Sequence, residues 1–318
     1  MTVLQNVPRT DPTPPPRKGR RRRATALAGV DRLVLVLMVG IPTLLHLALV
    51  WVPTLSSVVL SFSSWDGIGD LSTIKFVGFQ NYVDIFTAYP RFWPAVQHNL
   101  VWLVFLLVLP TGFGLLLAVL LDRKMRFTQI YQSILYLPVV LALAMVGFIW
   151  QLMYEPNLGL VNNLLGIAKT NPVDWLGDSS INIYSVLIAA GWKHTGYVML
   201  LYLAGLKSFD PSLKEAAALD GANGWQTFWK VTFPVLKPIN VIVLVITVIE
   251  GLRAFDIVYA INHGRNGLEL VSVLITDNII GESSRIGWGS ALAVVLLVIS
   301  LGFIITYLVQ VFRKEDRP

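Results

Sequence analysis

The chain contains no cysteine, which excludes a disulfide framework, a thiolate nucleophile and any cysteine-based metal site. Histidine is scarce too. His46, His98, His194 and His263 are scattered without ligand spacing, so no metal centre is expected. No G-x-x-x-x-G-K-[ST] loop occurs, so the chain lacks the usual means of binding ATP. With no His-rich set and no nucleophile–base pair, it offers no catalytic residues and does not read as an enzyme. Charge is sparse, at 14% of 318 residues, against roughly 25% in ordinary soluble domains.

Apolar residues take the place of the missing charge. Hydrophobic types make up 55% of the chain, and mean hydropathy is +0.65. The charges cluster, leaving several long runs nearly free of them. About 20 such residues in a helix span a ~30 Å hydrocarbon core. Backbone polar groups in lipid must be bonded internally, so helices are the expected form. The reading is an all-α polytopic membrane protein with six transmembrane helices. They are expected near 33–62, 99–121, 130–153, 182–204, 239–260 and 289–312. The first is interrupted by Pro42 and Pro53.

The formal net charge of +6 could suggest nucleic acid, but its placement points elsewhere. Much of the excess lies in Arg17–Arg23, just before the first apolar run. There it fixes orientation and can touch anionic membrane lipid; no nucleic-acid partner is expected. The proline-rich stretch before it reads as part of a disordered basic tail over 1–30. It is no cleavable signal, because the following run is long and lacks a small-x-small site. Lys and Arg are abundant in that tail, in 122–129, in 205–238 and at the C-terminus, and sparse between. Both termini and the 205–238 segment are therefore expected in the cytoplasm. The expected layout is a first span at 31–62, an extracytoplasmic loop at 63–98, a core at 99–312 and a tail at 313–318. Phe76–Phe86 in the outer loop reads as an interfacial helix, either resting at the headgroups or docking an external partner.

Segment 205–238 is sharply punctuated. Asp210-Pro211 is a helix start, and Gly221 suits a left-handed helix end. Leu213, Ala216 and Ala217 are expected on one face, with Lys214 and Glu215 towards water or a partner. A second helix carries Trp225, Phe228, Trp229 and Thr232 at i, i+3, i+4, i+7, with Pro234 and Pro238 expected to stop it. The residues alone fit two readings: an amphipathic hairpin on the membrane surface, or a helix held in a groove of a cytoplasmic protein.

Glu215-Ala216-Ala217, Gly221 and Val231-Thr232-Phe233-Pro234 resemble the Glu-Ala-Ala, Gly, Ile-x-Leu-Pro signature of a known family. These are the permease subunits of binding-protein-dependent ABC importers. Val and Phe replace the signature Ile and Leu. "DWLGD", "GWKHTGYVMLLYLAGLKSFDPSLKEAAALDGA" and "RAFDIVYAI" resemble its carbohydrate branch, the maltose and glycerol-phosphate type. The chain departs from it at His263–Gly267, where the family often has Gly-Gly-Pro. The resemblance implies a type I importer permease fold in a prokaryotic cell membrane. It makes Glu215–Gly221 a coupling helix seated on an ATPase. Glu215, Ala216, Ala217, Asp220, Gly221 and Pro234 are its expected coupling residues. The implied partners are a second homologous permease, two cytoplasmic ATPase subunits that bind ATP and Mg²⁺, and an extracytoplasmic solute-binding protein.

Ionisable residues at mid-span cost about 2.5–3.5 kcal/mol each on insertion scales and usually face a protein interior or pathway. Lys193 lies mid-way along the fourth span beside Trp192 and Tyr197, and the fifth carries Glu250, Arg253 and Asp256 at i, i+3, i+6, a spacing at which neighbouring members can pair along one side. These six are candidates for a sugar pathway, with Trp192 and Tyr197 as apolar platforms. A buried structural network, with Lys193 answering a carboxylate of the fifth span, is the other reading. A rival function is an ion-coupled secondary transporter using Glu250 and Asp256.

Overall fold

The computed structural model describes residues 29–123, 126–281 and 284–315; the Arg17–Arg23 cluster lies outside them. Every regular element among the described residues is helical. The chain divides into two units, one ending at Pro53 and the other beginning at Thr54. The first unit contains α1 (Gly29–His46) and a π-helical turn, Leu47–Trp51. Its large apolar side chains are all exposed, as a lipid-facing helix requires.

The second unit begins within α2 (Val52–Leu60) and continues through α3 (Gln80–Ala88) and the long α4 (Phe92–Asp122). Next come α5 (Thr128–Val140), α6 (Leu143–Met153), the short α7 (Leu160–Leu164) and α8 (Asn182–Lys207). The 205–238 segment holds α9 (Ser212–Leu219), α10 (Gly224–Thr227), a π turn at Phe228–Thr232 and α11 (Phe233–Val235). The remainder is α12 (Lys237–Leu252), α13 (Asp256–Asn262), α14 (Val271–Ile279) and α15 (Ile286–Glu315).

Three helices, Val30–Leu60, Phe92–Asp122 and Ile286–Val309, are long and apolar enough to cross a membrane. The α5–α6 pair makes a fourth if it is one span. Helix α8 carries Lys193 and His194 at its middle, and α12 has only 16 residues.

Two of the expected spans are broken. The run through 130–153 bends by 102° between α5 and α6. Pro138 has no N–H to give to the ladder, and Leu141 and Ala142 take extended ψ values of 140° and 145°. The run through 239–260 stops at Leu252 and restarts at Asp256, because Phe255 leaves helical geometry at φ −148°, ψ −61°. Glu250, Arg253 and Asp256 therefore do not share one continuous helical face.

Helix α8 is the central post. Its lower half packs Val186, Leu187, Ala189 and Ala190 against Trp102 and Leu106 of α4, Val146 of α6 and Ile257 of α13. Its upper half packs Val198, Met199 and Tyr202 against Ala118 of α4 and Leu236 and Val243 around α12. In lipid the hydrophobic effect does not drive helices together, and close packing over small residues does. Gly196 shows this directly: a Cβ there would lie 2.5 Å from the backbone oxygen of Leu135 on α5.

Polar ties lock the crossings. Buried Asn99 on α4 donates to the carbonyls of Gly251 (3.4 Å) and Leu252 (3.3 Å) and accepts from the Val271 amide at 2.9 Å. It thus pins the end of α12 and the start of α14 to α4. The helix expected over Phe76–Phe86 appears as α3, shifted to Gln80–Ala88. It is docked through Ile85 onto Phe92, Leu274 and Leu292, with Asn81 donating to the Ser61 and Ser63 carbonyls at 2.8 Å each.

Candidate functional site

The breaks in the third and fifth runs open a cavity of about 330 Å³ against α8. Trp102 and Leu106 of α4 form one wall, with Val139 and Leu143 on either side of the α5–α6 bend. Lys193, His194 and Tyr197 project from α8, and Glu250, Phe255 and Asp256 close the far side around the gap between α12 and α13. Of the six pathway candidates, Lys193, Tyr197, Glu250 and Asp256 meet here. Trp192 and Arg253 do not line it.

Lys193 makes no direct ion pair with a carboxylate among the described residues, although the charges of Glu250 and Asp256 both act on it through space. Its ammonium donates to the carbonyl of Leu141, the residue at the bend between α5 and α6. Two ion pairs, Arg91–Asp277 and Lys214–Asp122, both lie outside the cavity. Glu250, Arg253 and Asp256 are all exposed on the isolated chain, and none pairs with another. The pairing expected from their spacing fails because Arg253 caps α12 while Asp256 begins α13.

Trp192 instead joins an aromatic file: its ring is 6.0 Å from Trp150, which is 5.1 Å from Tyr154, itself 5.9 Å from Trp175. Tyr154 is buried and donates to the Ser185 carbonyl at 3.1 Å, so this file packs α6 and the segment after it against α8. His194 is buried, its Nε2 3.0 Å from the Thr247 hydroxyl, tying α8 to α12. Sequence reasoning missed Phe255 and Trp102 as cavity walls. Neither stands out from the apolar background of its run.

The 205–238 segment starts as expected. The Asp210 carboxylate accepts from the Ser212 amide at 2.9 Å, and this bond holds its carboxyl below the usual carboxylate range. Gly221 has φ +78°, and the Ala222 amide reaches back to the Ala217 carbonyl at 3.0 Å, closing α9. A capping box then starts α10: Asn223 and Gln226 exchange side-chain-to-backbone bonds at 2.9 and 3.0 Å.

Ala217 is buried under α9, while Glu215, Ala216, Asp220 and Gly221 are exposed. Leu219 is 89% exposed, so α9 presents an open surface of small, acidic and apolar groups. Lys214 is partly exposed and pairs with Asp122 at the end of α4, at 2.6 Å. Contrary to the spacing argument, the second helix is not stopped by proline. It relaxes into the π turn and continues through α11 into α12, because Pro234 and Pro238 sit in first-turn positions where no donor is needed. Trp225, Phe228, Trp229 and Phe233 form a ring cluster along it, with centroids 5.0 to 6.0 Å apart.

The model of the family "binding-protein-dependent transport system inner membrane component" matches residues 22–315. The chain belongs to that family. This inner membrane component is 34% identical over 283 residues to the osmoprotective compounds uptake permease protein of Synechocystis sp., covering 87% of this chain and 98% of that one. It is 32% identical over 281 residues to the xylose/arabinose import permease protein of Haloferax volcanii, covering 86% and 87% respectively. Among solved structures it superposes on a bacterial ABC transporter involved in import of the acidic polysaccharide alginate. The TM-score is 0.76 at 21% identity, covering 89% of this chain and 96% of that one. That likeness shows the type I importer permease fold. The chain is thus a non-catalytic, multi-pass permease subunit of the inner membrane.

Proposed function

We propose that this permease forms half of the translocation pathway of an ATP-driven importer for a sugar or sugar derivative, and that Glu215–Gly221 couples it to a cytoplasmic ATPase. One observation carries the reading: α9 is built as a rigid unit, closed by Gly221 and clamped to α4 by Lys214–Asp122, with its outer face bare. A helix closed at its end and tied to a neighbouring helix transmits displacement as a rigid body. Through α4 and the continuous run into α12, that displacement reaches the cavity walls. The relatives' names, which include xylose/arabinose and trehalose/maltose import, support a saccharide.

In this reading the chain crosses the membrane six times, with α5–α6 and α12–α13 as bent spans and both termini in the cytoplasm. A second homologous permease covers the exposed charges of α12 and α13. Two ATPase subunits bind ATP and Mg²⁺, and an external binding protein delivers solute to the outer loops. A solved neighbour was captured with an alginate pentasaccharide-bound periplasmic protein. The test is Glu215→Lys in the assembled transporter. It is expected to lose co-purifying ATPase and uptake together, and normal uptake by this variant would falsify the coupling role.

A further inference from the structure

The cavity wall is not electrically balanced. It holds two carboxylates, Glu250 and Asp256, and one ammonium, Lys193. That ammonium donates to the Leu141 carbonyl and is attracted by both carboxylates without a direct ion pair, which leaves the wall with one negative charge in excess. Neither carboxylate forms an ion pair among the described residues, and Arg253 lies outside the lining. His194 is taken up by Thr247.

Resting on the saccharide reading above, we propose that Glu250 and Asp256 make this cavity a charge filter. It admits uncharged saccharides and rejects their uronic-acid counterparts. Ionised carboxylates only accept hydrogen bonds, so they suit the hydroxyl donors of a neutral sugar. The indole and phenyl walls of Trp102 and Phe255 offer apolar contact to the ring. A uronate brings a third carboxylate to the same wall, and like-charge repulsion excludes it. Discrimination of this kind comes from the repulsive element as much as from the attractive one.

The experiment uses the detergent-purified transporter without its external binding protein, so that only the permease cavity selects. Equilibrium binding is measured for matched pairs: glucose and glucuronate, galactose and galacturonate, and the corresponding disaccharides. The wild-type complex is expected to bind at least one neutral member ten or more times more tightly than its uronate. The Glu250→Gln/Asp256→Asn double variant, checked for assembly by co-purification, is expected to close that gap to within about threefold. Equal affinity in the wild type overturns the filter, and this arm stands even if the double variant fails to assemble. An unchanged gap in an assembled double variant overturns the role of these two residues. Absence of any neutral-sugar binding across the panel overturns the saccharide reading itself, and the filter falls with it.

Discussion

Substituting Gly196 by alanine tests how the cavity is held open. The new methyl would sit 2.5 Å from the Leu135 carbonyl oxygen and 3.0 Å from a methyl of Val139. Ordinary non-bonded contact lies near 3.5–4.0 Å, so α5 must retreat from α8 by about 1 Å at Leu135. The obstacle is backbone, which no rotamer change can remove. Overpacking of this kind costs about 1–3 kcal/mol, a factor of roughly 5 to 150 in the folding equilibrium. The retreat also draws the bend at Leu141 away from Lys193, loosening the bond that orients the ammonium. The assay is thermal denaturation of the purified complex in detergent, paired with cross-linking. The absence of native cysteine lets an engineered cysteine pair, one on α5 and one on α8, be followed without background. A midpoint several degrees lower and a changed cross-linking yield are expected. An unchanged midpoint with unchanged cross-linking would refute the claim that α5 and α8 touch through Gly196.

Asn99→Leu removes three hydrogen bonds at once and leaves the buried Val271 amide without an acceptor, so a loss of about 1–3 kcal/mol is expected in a denaturation series. Gly221→Val places a branched side chain at φ +78°; the strain, about 1–2 kcal/mol, should fray α9 and weaken co-purification of the ATPase while the cavity is untouched. The Lys214–Asp122 pair is partly exposed, so a double-mutant cycle with Lys214→Met and Asp122→Asn should give a coupling of only about 0.2–1 kcal/mol. Its larger effect is expected on ATP-driven uptake, through a looser α9.

Much of the architecture was legible because its determinants are local. Long apolar runs, the Asp210 start and the Gly221 end each follow from a few neighbouring residues. The breaks were harder to see. Pro138 was visible in the third run, but nothing local distinguishes Leu141–Ala142 as the point of a 102° turn. At Phe255 the run departs from the helix without proline or glycine at that position. The site suffered from the same limit. Spacing along an assumed straight helix put Glu250, Arg253 and Asp256 together, whereas the gap after Leu252 sends Arg253 out of the cavity and keeps the two carboxylates in it. Lys193 was recognisable as needing a partner, but a backbone carbonyl freed by a bend elsewhere in the chain leaves no mark in the sequence. The π turn at Phe228–Thr232 hid the continuity of the second helix of the 205–238 segment for a similar reason: the prolines that usually stop helices here start the next pieces.

The central claim is that this chain works as one permease of an ATP-driven assembly, gripped at α9. Its most direct test is to tag the chain, extract the native complex in mild detergent and weigh the intact assembly by mass spectrometry. One copy of this chain, one homologous permease and two ATPase subunits are expected, with the ATPases lost from the Glu215→Lys variant. A lone chain or homodimer that transports without ATP would contradict that claim.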